Sequence, residues 1–170
     1  MLRLALDTLG YDFIEEKVKG YSLIYNIERE EKNLQPLENL KLSAGASVMN
    51  DEVRYAFDGD VKTRWRSAEP QKKMMRFVLT LDEPTELRGL DYVLGEWSHD
   101  FPRALRIEIE SPNGEREVLI DPPSFWAVRF FGSKDYFFVF PKFLTKRIYF
   151  VQEGEDPVFD WSIAEIKLYK

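Results

Sequence analysis

The chain has no cysteine, which removes a disulfide framework, thiol catalysis and Cys-ligated zinc in one step. It has a single histidine, His99, so a multi-histidine metal site or catalytic centre cannot be built. No uninterrupted apolar run approaches the length needed to cross a bilayer as a helix. The opening Met1–Asp7 is too short and too soon charged for a signal peptide. An excess of positive charge is lacking too. The formal net charge is −6, which argues against nucleic acid or an anionic membrane as principal partner. The short basic cluster Lys62, Arg64 and Arg66 stands among acids and reads as a solvated loop edge. No glycine-rich phosphate loop and no Ser–His–Asp order stands out.

What is present suits one globular domain with a small appendage. The 170 residues are 44% hydrophobic and 32% charged. The aromatic share of 15% is high, and aromatics favour strands. Leu2, Leu6, Leu9 and Phe13 recur at helical spacing, which predicts a short helix ending near Gly20. Tyr21–Ile27 reads as a strand, and 28–36 as a linker. The boundary is placed there, with an extension over 1–36 and a main domain over 37–170.

From Leu40 onward, short alternating or apolar runs are bounded by turn residues. They span 40–44, 75–81, 87–94, 104–111, 117–120, 126–131, 136–140, 147–152 and 163–169. Met75, Phe77, Leu79 and Leu81 alternate with Arg76, Val78 and Thr80. Leu105, Ile107 and Ile109 alternate with Arg106, Glu108 and Glu110. Period two with one wet face predicts half-buried antiparallel strands. Turn residues at Asp82-Glu83-Pro84, Ser111–Gly114, Asp121–Pro123 and Glu153-Gly154 separate them, as in an all-β sandwich or barrel. A single helical turn fits 50–56.

The most informative stretch is Ala56-Phe57-Asp58-Gly59-Asp60-Val61-Lys62-Thr63-Arg64-Trp65. Asp-Gly-Asp suits a tight loop, since Gly59 can adopt positive φ and the carboxylates can fold onto nearby amides. Asp58, Asp60 and Thr63 crowd hard oxygen donors into a short arc, which is calcium chemistry. An EF-hand does not fit, because Lys62 and Thr63 would occupy the positions of an oxygen ligand and of the sharp-turn glycine. The alternative is an Asx-type turn satisfied by backbone amides alone. Asp58 and Asp60 are also the only acid-pair candidate for catalysis. Trp65 is expected to anchor the loop from beneath.

Ala44, Ala46 and Ser47, followed by Ala56-Phe57-Asp58-Gly59-Asp60, Thr63, Trp65 and Ser67, resemble the opening of discoidin, or coagulation-factor type C, domains. Those domains belong to the galactose-binding-like β-sandwiches, together with many bacterial carbohydrate-binding modules. Phe77, Leu79 and Leu81 before Pro84, then Leu87, Gly89 and Leu90, resemble the next strands. Phe101-Pro102, Ile107, Ile109, Ser111, Asn113-Gly114 and the closing Ile163, Glu165, Ile166 and Leu168 continue the match. The cysteine pair of the secreted members is missing, and Lys72-Lys73-Met74-Met75 replaces the usual small residues. The resemblance implies an antiparallel β-sandwich of jelly-roll type with a short N-terminal helix–strand extension. It also implies a structural Ca²⁺ held by the side chains of Asp58 and Glu165, carbonyls near Ala56 and Asp60, and Thr63.

Residues 25–37, Thr63-Arg64-Trp65, Pro70-Gln71 and Asp100–Arg103 further resemble the soluble C-terminal part of bacterial polytopic membrane glycosyltransferases. That would make a membrane-embedded domain of the same parent chain a partner, at the periplasmic face.

The segment Gly95–Arg103 is rich in groups that recognise sugars. Trp97 offers a flat face to pyranose C–H groups, and His99, Asp100 and Arg103 offer directional hydrogen bonds. Arg66 and Trp126 are secondary candidates. The alternative packs Trp97 on the sandwich rim and pairs Asp100 with Arg103 at the surface. Phe125–Phe143 invites a lipid-binding reading, but core strands with one exposed loop account for it, and Trp161 reads as core or rim. The expected function is a non-enzymatic carbohydrate- or glycoconjugate-binding accessory module of a cell-envelope enzyme. The rival is a protein-interaction or structural module that orients a neighbouring domain and has no sugar site.

Overall fold

The computed structural model describes residues 11–18, 21–29, 34–121 and 135–170. Its organisation rests on two 18-residue strands, β5 (Arg76–Val93) and β8 (Asp135–Gln152), which pair antiparallel along their length. The first half of β5 also pairs with β3 (Leu42–Ala46), and the matching half of β8 pairs with β6 (Leu105–Glu110). β6 in turn pairs with β7 (Arg116–Ile120), giving one broad layer. The second half of β5 pairs instead with β10 (Glu165–Tyr169), giving a narrower layer. The layers face each other across a shared apolar core. Tyr92 of the narrow layer lies 6.0 Å, ring centroid to ring centroid, from Phe150 of the broad one.

The alternation read from the sequence sets this packing. Phe77, Leu79 and Leu81 from β5, Leu105, Ile107 and Ile109 from β6, and Ile148 and Phe150 from β8 are all buried. Such a face is worth about 1.5–3 kcal/mol per large side chain removed from water. Trp65, in the short strand β4 (Trp65–Arg66), is fully buried as expected. Its ring meets Phe77 at 5.0 Å and Trp161 edge-on at 5.1 Å. β4 pairs with β9 (Ser162–Ile163), so the acidic loop and the chain's last segment are tied by backbone as well.

Three expectations need correction. Tyr11–Val18 forms a strand, β1, and not a helix; it pairs antiparallel with β2 (Tyr21–Arg29), where a strand was expected. Phe13 is thus in a strand, while Leu2, Leu6 and Leu9 of the expected helix lie outside the described residues. Asp82-Glu83-Pro84 does not end a strand. It lies in a register shift of β5, where four residues, 81–84, stand opposite the single Lys146. Pro84 therefore has no ladder bond to lose. The runs 136–140 and 147–152 likewise belong to one strand, because Pro141 falls in the second irregularity, between Val139 and Phe143.

Asn50–Ala56 forms the expected helical turn, as a 3-10 helix. Along the outer edge of β10, Gln35 exchanges backbone hydrogen bonds with Lys170, and the Leu37 amide donates to the Leu168 carbonyl. The expected strand at 126–131 and Trp126 lie outside the described residues.

Candidate functional site

The acidic loop is tight, as the sequence required. Gly59 has φ of +83°. Asp58 Oδ1 accepts from the Asp60 amide at 3.0 Å, and Asp60 Oδ1 accepts from the Lys62 amide at 2.9 Å. The Thr63 hydroxyl donates to Asp58 Oδ2 at 2.8 Å and lies 2.9 Å from the Asp60 carbonyl. Glu165 reaches in from β10: its Oε2 accepts from the Gly59 amide at 2.9 Å. Ala56, fully buried, closes the 3-10 turn just ahead of the loop. Burial pushes the Glu165 carboxyl above its usual range. The Gly59 amide opposes that shift, and the charges of Asp58 and Asp60 add to it. The Lys167 charge opposes it as well, so three carboxyl groups and one lysine act on one another here. The loop's donors are all oxygen, but the Asp60 carboxylate is turned onto the Lys62 amide. No cluster of three acidic or histidine side chains in metal-binding arrangement occurs among the described residues.

The second constellation forms where loop 97–104 meets loop 153–161. His99 is exposed and stacks on Phe159, with ring centroids 5.6 Å apart and planes inclined by 21°. The Arg103 guanidinium lies 3.9 Å above the Phe101 ring centroid and 5.3 Å from that of Phe159. Each of its three nitrogens makes a hydrogen bond. Nε bonds Asp156 at 2.5 Å, and the terminal nitrogens bond the carbonyls of Phe101 at 2.8 Å and His99 at 3.1 Å. Burial tends to raise the Asp156 carboxyl, yet the Phe159 and Val158 amides and Arg103 hold it below its usual value. Arg66 is exposed and reaches Asp160 at 3.3 Å.

The structure thus gathers His99, Arg103 and Arg66 around loop 153–161, although that loop was not singled out in the sequence. Phe159, Asp156 and Asp160 are the residues sequence reading missed. Glu153-Gly154 announced only a turn, and nothing local says that Phe159 faces outward.

Trp97 and Asp100 stand to one side of that group. Arg64 covers one face of Trp97, its guanidinium 4.7 Å from the ring centroid, and pairs with Asp100. Asp100 also accepts from the Ser162 hydroxyl at 3.0 Å. Two corrections follow. Asp100 and Arg103 do not pair with each other, and Arg64 is no solvated loop edge, its side chain being only 19% exposed. Asp100 is instead shared between Arg64 and the Ser162 hydroxyl.

No protein-family model matches the sequence, and no curated protein sequence does. Solved structures with the same fold do exist. One is the family 32 carbohydrate-binding module of Clostridium perfringens NanJ, in complex with galactose. It has a TM-score of 0.60 and 13% identity over 76% of this chain and 93% of that one. Another is the module CpGH89CBM32-4 of Clostridium perfringens, in complex with GlcNAc-α-1,4-galactose. Its TM-score is 0.56 at 21% identity, covering 80% of this chain and 95% of that one. A third is chitosan-binding module 1 of a Paenibacillus sp. IK-5 chitosanase/glucanase, with a TM-score of 0.58, 15% identity, and coverage of 78% and 96%. These likenesses establish a galactose-binding-like β-sandwich.

Proposed function

We propose that the chain is a non-catalytic carbohydrate-binding module whose ligand sits at the meeting of loops 97–104 and 153–161. The observation that carries this reading is the exposed Phe159–His99 stack, flanked by Arg66 and Asp160. A pyranose offers apolar C–H patches and directional hydroxyls. An aromatic surface with a cation, an imidazole and a carboxylate at its margin meets both needs. Arg103, each of whose side-chain nitrogens is bonded within the two loops, serves as scaffold, and recognition of hydroxyls falls to Arg66, His99 and Asp160. Galactose, a galactose-containing disaccharide and chitosan are named for the neighbouring modules, which supports a sugar as the ligand class.

A structural Ca²⁺ belongs to the same proposal. Asp58 and Glu165 would hold it by side chain, Ala56 and Asp60 by carbonyl, and Thr63 by hydroxyl. The fit rests on the buried Glu165 carboxylate facing two further acids. The ion would supply neutralising charge. Residues 1–36 are proposed as an extension to this module, and a membrane glycosyltransferase as its parent rests on the sequence motifs alone.

The test is a glycan array followed by titration calorimetry. Binding is expected, with Phe159→Ala and His99→Ala each weakening it roughly tenfold or more. Silence across diverse glycans overturns the reading.

A further inference from the structure

Two glutamines lie buried between the ligand loops. Gln71 is 2% exposed and Gln152, the last residue of β8, is fully buried. Neither belongs to the sugar-facing surface. The Gln71 Nε2 donates to the Phe101 carbonyl at 3.0 Å and to the Asp160 carbonyl at 2.7 Å. Its Oε1 accepts from the Arg103 amide at 3.1 Å and from Gln152 Nε2. All four hydrogen-bonding positions of that side chain are therefore filled. Gln152 Oε1 accepts from the amides of Ala104 at 3.0 Å and Gly154 at 3.1 Å.

The pair thus grips residues 101, 103 and 104 of one loop and 154 and 160 of the other. Its backbone adds to the grip: the Gln71 amide donates to the Phe159 carbonyl, and the Gln71 carbonyl accepts from Asp156. Asp156 and Phe159 lie between the gripped positions of loop 153–161, and His99 lies two residues ahead of Phe101, its carbonyl accepting from the Arg103 side chain. A fully connected buried amide network is directional, and rigidifies what it joins more than an apolar contact of the same size would.

We propose that Gln71 and Gln152 are positioning residues that hold the two ligand loops in register, so that His99 stacks on Phe159 before any ligand arrives. The proposal rests on the sugar-binding reading only for its consequence on affinity.

His99 is the only histidine in the chain, so its imidazole C–H signals in a proton NMR spectrum need no assignment. Stacking on Phe159 places them in that ring's shielding field. The expected result for Gln71→Leu is a shift of the His99 signals toward their positions in Phe159→Ala, with the core methyl signals unmoved. Affinity for galactose, read by calorimetry well below the melting temperature, should fall roughly tenfold. Gln152→Met removes the acceptor for Ala104 and Gly154 and is expected to move the same signals.

Unmoved His99 signals in a folded variant overturn the proposal. So does a shift with unchanged affinity. If Gln71→Leu does not fold, Gln152→Met decides. If neither folds, the pair is part of the sandwich itself and the positioning role is refuted. A wild-type protein that binds no sugar sinks the carbohydrate reading, while the His99 signals still decide the grip.

Discussion

Arg64 and Asp100, 36 residues apart, form an ion pair that links the acidic loop to the candidate sugar loop. The guanidinium rests on Trp97, and the carboxylate also takes the Ser162 hydroxyl. Both side chains are less than one-fifth exposed, so this pair is better shielded than a surface salt bridge.

Asp100→Ala leaves Arg64 without its carboxylate and Ser162 without its acceptor. The expected loss is about 1–3 kcal/mol, read by denaturant unfolding followed through tryptophan fluorescence. Arg64→Lys keeps the charge but gives up the planar stack, and should cost less, about 1 kcal/mol. Equal stability of both variants and wild type would show that the link carries no weight.

Gly154 stands where loop 153–161 runs against loop 97–104. A Cβ there would lie 2.8 Å from Arg103 Cβ and 2.9 Å from the Ala104 amide nitrogen, and backbone cannot move aside cheaply. Gly154→Ala should destabilise by about 1–3 kcal/mol and weaken sugar binding through displaced loops. Thermal unfolding and calorimetry measure the two effects separately.

The Glu165 carboxyl is raised in the folded protein, chiefly by burial, so folding favours its protonated form. The sign follows: its contribution is full below the unfolded pKa of about 4.3 and is lost as pH rises through the higher folded value. In EDTA, Glu165→Gln is therefore expected to melt at or above the wild type at pH 7, and the gap should close below pH of about 4. Millimolar Ca²⁺ should raise the melting temperature of the wild type and leave Glu165→Gln and Asp58→Ala unmoved. A wild type indifferent to both Ca²⁺ and EDTA removes the ion from the account.

Glu110 behaves in the opposite sense. The Tyr149 hydroxyl at 2.7 Å, and then Arg116 and Arg147 at 2.9 and 2.8 Å, hold its carboxyl below the usual range. Its stabilisation is present above the unfolded pKa and disappears as pH falls through the lower folded value. Glu110→Gln should cost about 1 kcal/mol at pH 7, since both arginines are half exposed and solvent weakens the pairing. The difference from wild type should vanish in acid, which a pH series of urea melts would show.

How much of this was legible in the sequence depended on how local the cause was. The Asp58–Thr63 bend, its buried Trp65 and the alternation of Phe77-Leu79-Leu81 announce themselves within a few residues. That Glu165 would meet Gly59, 106 residues away, came through the motif resemblance and not from spacing. Phe159 was invisible because its outward placement is fixed by Gln71, on another part of the chain. The continuity of β5 and β8 was hidden by Pro84 and Pro141, which usually end strands. Both are harmless here because they fall in register irregularities, and register belongs to the partner strand as much as to the sequence.

Strands β5 and β8 serve both layers, and this has a mechanical consequence. Neither sheet can be peeled away while the other stays whole, because the same two lengths of backbone run through each. Heating or pulling should disrupt the sandwich in a single event, and the loops at its end will keep their spacing until that event arrives.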